Sequence, residues 1–417
     1  MYPQHTHQGA SSSSLPPIEA LGPRIPIYDP AFAADPHGAY RRMRSEYGSL
    51  VPVEMWPGLP ATLVINYATA VRILGDSDRF PADPSIWQRT APSGCPIMPM
   101  VEARPNAIRT TGAAHARYRA ALNDALAGID LYAVRSMVER SAIPLVNTFC
   151  ADGRADVLSQ YALPLVFSVF CEILGCPPEI GTRVAAASAA MFDGVDTATV
   201  NAQMGEALFD LTALKRAHPG DDVTTRLVRH PAALTDEEMV HQLVLLFAAG
   251  VEPPLNLVAN TLLLMMTDDR FTSGGQGIPL TTRSAIDERL ATDPPMANYC
   301  ITYPRQPTLI DGVWLPAHEP VIISMAACNT DPELNTGTFV DNGWNLAFSS
   351  GDHACPDHAR PYGILLAQDI IDQLLDLLPD ITLAVREEDL VWRPGPFHRA
   401  LTELPVVFPP AHPFAVV

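Results

Sequence analysis

The sequence contains almost no lysine. Lys215 is the only lysine among 27 basic residues, which face 46 aspartates and glutamates and leave a net charge of −19 at pH 7. A surface this acidic repels nucleic-acid phosphates and anionic lipid headgroups. The composition therefore disfavours both nucleic-acid binding and attachment to a membrane surface.

Cysteines are also few, and no Cys-x-x-Cys pair occurs. This pattern is typical of a reducing compartment, although pairing of Cys171 with Cys176 is a less favoured alternative. The N-terminal residues show no apolar segment of the kind that a signal peptide needs, so we expect a cytoplasmic protein. The most apolar run, residues 243–266, includes Glu252, Pro253 and Pro254, and this predicts a buried helix and not a membrane span.

The pattern of apolar residues predicts a mostly α-helical protein with a minor β portion. We expect a disordered lead over residues 1–22 and a single domain over 23–417, with helical spacing from about 115 to 290. Strands are predicted at 62–65, 308–310, 321–324 and 381–385, and a helix at 67–74. Residues 80–111 are rich in proline and are predicted to form a long functional loop.

The best-defined element is a helix from about Thr235 to Met266. It begins with the spacing of a capping box, Thr235 to Glu238. Pro253 and Pro254 interrupt its apolar body, and each proline costs about 3 kcal/mol in a helix interior. We predict a helix opened beside a flat ligand; the alternative is that one helix ends at Val251 and a second begins at Pro253.

The strongest motif is the run Phe348-Ser-Ser-Gly-Asp-His353-Ala-Cys355-Pro, which precedes a helix predicted over 364–378. A sulfur in this setting faces backbone N–H groups and the positive end of a helix, and both favour a thiolate. A thiolate in a rigid loop is what an axial haem ligand requires.

The spacing F-x-x-G-x-H-x-C resembles the haem-ligand signature of cytochromes P450. The resemblance runs from about Tyr28 to Phe408. It implies the cytochrome P450 fold, a long central helix over haem b, and Cys355 as the iron ligand. The residues whose roles the resemblance implies are His115 and Arg119 for the haem propionates, Phe348 and His353 for the cofactor pocket, and Ala249, Gly250 and Glu252 for the oxygen-binding stretch.

The sequence departs from the family pattern at several places. Glu288 lacks the arginine that usually follows it three residues later, so Arg289 or another group must compensate, or Glu288 is solvated. Cys300 stands where the family has a propionate-binding arginine, for which Arg305 is a candidate substitute. Pro253 replaces the usual alcohol after the acid, which leaves Glu252 as the possible proton relay.

The combination of these departures resembles a smaller actinobacterial group of cytochromes P450 that act on cyclodipeptides. This resemblance implies oxidative C–C or C–N coupling of a Trp- or Tyr-containing cyclodipeptide to a purine base or a second aromatic unit. The alternatives are an ordinary hydroxylase of a small natural product and a haem-binding partner protein without turnover. Electrons are expected from a ferredoxin and an NAD(P)H-dependent ferredoxin reductase, with His358 and Arg360 as candidate docking residues.

The substrate pocket is the least defined part of the prediction. By analogy with the family, the candidates are apolar or amide-recognising side chains on the distal side. They are Trp87, Met98, Met100, Asn106, Phe247, Met296, Asn298, Phe397 and His398.

Overall fold

The computed structural model describes residues 15–92, 94–192, 197–271, 280–334 and 345–415. These residues form a mostly helical structure with three small sheets, as the sequence predicts. The described α-helices are α1 (Pro30–Ala34), α2 (Pro36–Tyr47), α3 (Tyr67–Leu74), α4 (Met98–Val101), α5 (Gly112–Ala127), α6 (Leu131–Val146), α7 (Leu163–Leu174), α8 (Pro178–Phe192), α9 (Thr197–Ala217), α10 (Val223–Arg229), α11 (Asp236–Thr267), α12 (Thr282–Thr292), α13 (Met325–Asn329) and α14 (Ala359–Leu377).

Ten short strands complete the described structure. They are β1 (Ile25–Pro26), β2 (Leu50–Trp56), β3 (Leu59–Val64), β4 (Arg154–Asp156), β5 (Asn298–Thr302), β6 (Thr308–Ile310), β7 (Val313–Leu315), β8 (Val321–Ser324), β9 (Thr382–Leu383) and β10 (Pro405–Val407). The largest sheet has the order β1-β2-β3-β8-β5, in which β2 and β3 are antiparallel and β3 and β8 are parallel. The sequence prediction missed β2, whose residues are almost all buried.

The long helix α11 is continuous through both prolines, so the two-helix alternative is wrong. Its capping box is present: Thr235 N–H donates to the Glu238 carboxylate at 2.8 Å, and Glu238 N–H donates to Thr235 Oγ1 at 3.2 Å. The C-terminal half, from Pro254 to Leu264, is buried throughout. This packing offsets the lost hydrogen bonds of Pro253 and Pro254, which together cost several kcal/mol, about 3 for each.

Helix α11 is also, among the described residues, the one helix that is long and apolar enough to cross a membrane, and 56% of its most apolar window is buried in the fold. It packs against α7, α9, α12 and α14 in the largest hydrophobic core. We therefore describe α11 as a core helix, in agreement with the prediction.

The predicted disordered lead is too long. Residues 1–14 lie outside the described residues, but Ile18 is fully buried in the cluster around β3 and β8. Trp314 N–H also donates to the Pro16 carbonyl at 2.9 Å. One buried isoleucine and a backbone hydrogen bond hold this segment against the domain, and hydrophilic composition alone could not indicate that. The predicted loop 80–111 likewise contains helix α4 and a short 3-10 turn over Trp87–Thr90.

Candidate haem site

The loop that carries Cys355 is closed by its own backbone. Cys355 N–H donates to the Phe348 carbonyl at 2.9 Å, and Ala354 N–H donates to the Gly351 carbonyl at 3.1 Å. Gly351 has a φ of +72°, and a Cβ atom there would lie 2.1 Å from the Leu74 carbonyl oxygen. Only glycine fits at this turn, because it must be left-handed and pressed against the end of α3.

Cys355 is half-buried and free. Burial raises the pKa of its thiol to about 11, although the guanidinium groups of Arg360 and Arg119 act in the opposite direction. For the protein groups by themselves, desolvation outweighs the nearby positive charge, and the thiolate stays a prediction. A metal ion deprotonates a coordinating thiol outright, so a bound iron would hold Cys355 as the thiolate.

Two histidines from distant segments meet beside this loop. The rings of His115, on α5, and His353 are stacked with centroids 4.1 Å apart. His353 Nε2 lies 3.0 Å from the Thr110 carbonyl, whereas the buried His115 Nε2 has no hydrogen-bond partner in the described structure. Burial, His353 and Arg119 lower the pKa of His115 to about 4. An orphaned nitrogen in this place fits an acceptor that the protein itself does not supply.

Arg109 is a buried cation that the sequence reasoning missed. It is 3% exposed, and its guanidinium donates to the Tyr299 hydroxyl at 2.6 Å and to the Met100 carbonyl. In the described ranges no carboxylate lies within 4.0 Å of it, so its charge fits an anionic ligand. Arg305, the predicted substitute for the missing arginine, instead lies on the surface, where its Nε donates to the Asp78 carbonyl at 2.7 Å.

The middle of α11 borders an opening in the core. Ala248 and Ala249 are exposed although Leu246 and Phe247 before them and Pro254 after them are buried. Gly250 lies close to α7: a Cβ atom there would be 2.3 Å from the ring of Phe170. A side chain of α7 therefore requires glycine at this position, and the place of Gly250 in the oxygen-binding stretch stays a prediction.

Glu252, the predicted proton relay, is held in an ion pair. Arg393 Nη2 bonds its carboxylate, and Asn256 Nδ2 donates to the same oxygen at 3.2 Å. Burial alone would raise the pKa of Glu252, but the charge of Arg393, with His398 and Asn256, holds it below the usual range. Sequence reasoning did not indicate Arg393, which lies 141 residues further along the chain.

These residues fit haem b. Cys355 can provide the iron ligand, and the opening beside Ala248 and Ala249 leaves room for a flat group. The orphaned His115 nitrogen and the Arg109 guanidinium can receive carboxylates. Arg119, the other predicted propionate ligand, donates to the Ala354 carbonyl at 2.5 Å, and its contact with a propionate stays a prediction.

Comparisons with known proteins agree with this site. The cytochrome P450 monooxygenase PikC of Streptomyces venezuelae is 29% identical over 97% of both chains. The 2-hydroxy-5-methyl-1-naphthoate 7-hydroxylase of Streptomyces carzinostaticus is 28% identical over 86% of this chain and 91% of its own. The structure of CYP154C4 from Streptomyces sp. W2061 matches with a TM-score of 0.82 and 26% identity, over 94% of this chain and 99% of its own. No protein-family model matches the chain.

The chain has the cytochrome P450 fold and is similar to bacterial cytochromes P450 along nearly its whole length. It is a haem-thiolate oxidoreductase with haem b as its cofactor. Its relatives are bacterial monooxygenases that act on small molecules with redox partners such as ferredoxin. Because these relatives are enzymes, a haem-binding protein without turnover is not favoured.

The apolar substrate-pocket candidates pack with other aromatic and apolar side chains. Trp87 lies 5.7 Å from the Tyr303 ring, and Phe397 lies 5.4 Å from the Tyr299 ring. Phe247 contacts Phe170 edge to face at 5.6 Å. Met98 and Met100 pack against the same cluster as Trp87. Their contact with a substrate stays a prediction.

Two of the three polar candidates are already engaged by the protein. The Asn106 oxygen accepts from the N–H groups of Ile108 and Arg109, both at 3.1 Å. Asn298 accepts from the Tyr40 hydroxyl at 2.9 Å and donates to the Pro396 carbonyl at 3.1 Å. These hydrogen bonds hold the loops, and the contact of these two amides with a substrate stays a prediction.

His398 is the remaining polar candidate. It forms an antiparallel bridge with Met296, so the structure brings these two predicted residues together. Burial lowers the pKa of His398 to about 4, although the Glu252 carboxylate acts in the opposite direction. The His398 imidazole is therefore neutral near neutral pH and can offer one donor and one acceptor.

Glu288 finds its missing partner outside α12. Arg270 Nη2 lies 2.8 Å from Glu288 Oε1 and 2.6 Å from Asp268 Oδ2. Arg289, the neighbouring candidate, donates instead to the Asn260 carbonyl at 3.1 Å. The alternative that "another group" compensates is confirmed, and that group is Arg270.

Proposed function

We propose that this cytochrome P450 couples an aromatic cyclodipeptide oxidatively to a purine base or to a second aromatic unit. The observation that carries the proposal is the distal side of α11, where Pro253 offers no hydroxyl and the carboxylate of Glu252 is bonded to Arg393. Both coupling and hydroxylation consume dioxygen, two electrons and two protons. Coupling removes one hydrogen from each substrate and returns both oxygen atoms as water, so it needs no transfer of oxygen to the substrate, and a site without the alcohol is compatible with it.

Haem with a thiolate ligand, when bound, supplies the oxidising chemistry from dioxygen. In this proposal Cys355 holds the iron, and His115 with Arg109 holds the haem carboxylates. Phe247 and Phe397 belong to buried aromatic clusters that would border an aromatic substrate ring. The neutral His398 is the group placed to orient a substrate amide.

The resemblance to cyclodipeptide-tailoring enzymes supports the substrate class. It rests on the Glu252-Pro-Pro run in α11, on residues 293–299 (DPPMANY) and on residues 392–401 (WRPGPFHRAL). In the structure the second and third segments are paired: Asn298 N–H donates to the Phe397 carbonyl at 3.1 Å, and Arg399 N–H to the Pro295 carbonyl at 3.0 Å. The proposal includes a cytoplasmic location, a ferredoxin and its NAD(P)H-dependent reductase.

Hydroxylation of a small natural product is the second candidate. Its specific support is that the similar proteins are named a monooxygenase and a naphthoate hydroxylase.

Titration of the haem absorbance with Trp- and Tyr-containing cyclodipeptides tests the substrate class. We expect a saturable spectral shift, and no shift with a cyclodipeptide of two alanines, which is the matched control. If no aromatic cyclodipeptide shifts the spectrum, the substrate class is wrong.

The mass of the product then distinguishes the two reactions. Turnover with a ferredoxin system and added guanine is expected to give a product that has lost hydrogens and gained a partner. A product that has gained one oxygen atom contradicts coupling and supports hydroxylation.

A further inference from the structure

Two guanidinium groups bond the backbone on either side of the Cys355 sulfur. Arg119, on α5, donates to the Ala354 carbonyl at 2.5 Å. Arg360, on α14, donates through Nε to the carbonyl of Cys355 itself at 3.2 Å. Two helices therefore hold consecutive carbonyls of the ligand loop with charged donors, which form stronger hydrogen bonds than neutral ones.

The position of Arg360 is unfavourable for an arginine. It lies in the first turn of α14, where the helix dipole is positive and a cation costs about 0.3–1 kcal/mol. Within the described part of the chain no carboxylate lies within 4.0 Å of its guanidinium. The favourable contacts on that side are the Cys355 carbonyl and the ring of Phe348, 5.9 Å from the guanidinium carbon.

Arg360 is also poorly placed for the docking role that the sequence suggested. Its side chain is half-buried beneath the ligand loop, whereas the neighbouring His358 is exposed. A docking cation needs contact with solvent, and a cation that contacts the ligand loop acts on the ligand itself.

We propose that Arg360 is a positioning residue that fixes the Cys355 backbone and holds a positive charge beside the thiolate, so that the haem is easier to reduce. A fixed positive charge favours the state that carries one more electron, because Coulomb interactions are strong in a partly buried site. This inference rests on the haem-thiolate identity and is independent of the proposed substrate.

The test is the reduction potential of the purified holoenzyme, measured with chemical mediators and without ferredoxin. We expect a more negative potential for Arg360→Leu and Arg360→Gln, and a potential close to that of the wild type for Arg360→Lys, which keeps the charge. We also expect the carbon monoxide complex of the leucine variant to show an increased share of the form with a protonated thiol. A docking role moves neither signal, since no partner protein is present.

Arg386→Leu is the matched control. Arg386 lies on the surface and pairs with Asp389 at 2.8 Å, so its removal changes the net charge equally without touching the ligand loop. Unchanged potentials in both Arg360→Leu and Arg360→Gln overturn the proposal, even if their stability falls, because that result indicates packing alone. If Arg360→Leu does not retain haem, the test uses Arg360→Gln and Arg360→Lys. Equal reduction potentials in these two variants also overturn the proposal.

Discussion

The ligand loop and the two helices that depart from the P450 pattern hold their key groups by different means. In the loop, Cys355 is fixed by a hydrogen bond to Phe348, seven residues earlier, and by a turn that only Gly351 fits. In α11 and α12, Glu252 and Glu288 are held by arginines outside their helices, at Arg393 and Arg270.

The difference shows how a departure from a motif is accommodated. A carboxylate that loses its usual partner cannot remain buried and uncompensated, since the desolvation penalty is several kcal/mol. Here a cation from another segment takes the partner's place. The ligand loop has no such freedom, because its geometry is set by backbone contacts that no distant side chain can replace.

The largest effect is expected from replacing Gly351 by alanine, which tests whether backbone contacts fix the ligand loop. The left-handed backbone costs about 1–2 kcal/mol for alanine. Overlap of the new Cβ with the Leu74 carbonyl adds about 1–3 kcal/mol. We expect the free energy of unfolding to fall by about 3 kcal/mol, together with loss of haem, as measured by denaturant titration and the absorbance of bound haem.

Gly312→Ala is the control for this prediction. Gly312 also has a left-handed backbone, at a φ of +81°, but a Cβ atom there meets nothing within 4 Å. We expect a loss of about 1–2 kcal/mol, from the backbone alone. Equal losses in the two variants would contradict the close approach to Leu74.

Local patterns in the sequence predicted much of the fold. Helix α3, the capping box of α11, and strands β6 and β8 lie where the apolar spacing and the capping residues put them. The pattern also indicated the ligand loop, because the residues of its motif, Phe348 to Cys355, lie within ten positions of one another. It could not indicate Arg393 or Arg270, since any of the chain's many arginines could have met either carboxylate.

Removing Arg393 tests how the Glu252 carboxylate of α11 is held. In Arg393→Leu the Glu252 carboxylate keeps its burial but loses its partner, and we expect a loss of about 1–3 kcal/mol at neutral pH. In the wild type the lowered pKa of Glu252 stabilises the fold above the ordinary carboxyl range, and this contribution disappears as the pH falls through the lowered pKa. In the variant burial raises this pKa, so the loss should shrink on acidification.

The double variant Arg393→Leu with Glu252→Gln is the matched control, because it buries neither charge. We expect it to regain most of the lost stability in denaturant titrations. A double variant as unstable as Arg393→Leu alone would show that Arg393 acts through packing and not through Glu252.

A smaller effect is expected from His398, on the same distal side. Its pKa is lowered to about 4 in the folded chain. Between about pH 6.5, the ordinary pKa of histidine, and about pH 4, the unfolded chain therefore binds a proton at this residue and the folded chain does not. This makes the fold less stable as the pH falls from about 6.5 to about 4. His398→Gln should reduce the slope of stability against pH by up to about one proton.

The smallest expected effect concerns Arg270, because its side chain is 49% exposed and surface ion pairs contribute little. Arg270→Ala should lower the free energy of unfolding by about 0.5–1 kcal/mol, since Arg270 bonds both Asp268 and Glu288. Arg283→Ala is the matched control: Arg283 is equally exposed and pairs with Asp287 one turn away, and its loss should cost about 0.3–0.5 kcal/mol. The difference should vanish in about 1 M salt, which screens exposed charges. A loss of several kcal/mol from Arg270→Ala would instead mean that Glu288 depends on its partner as a buried carboxylate does, and that α12 is braced as tightly as the ligand loop.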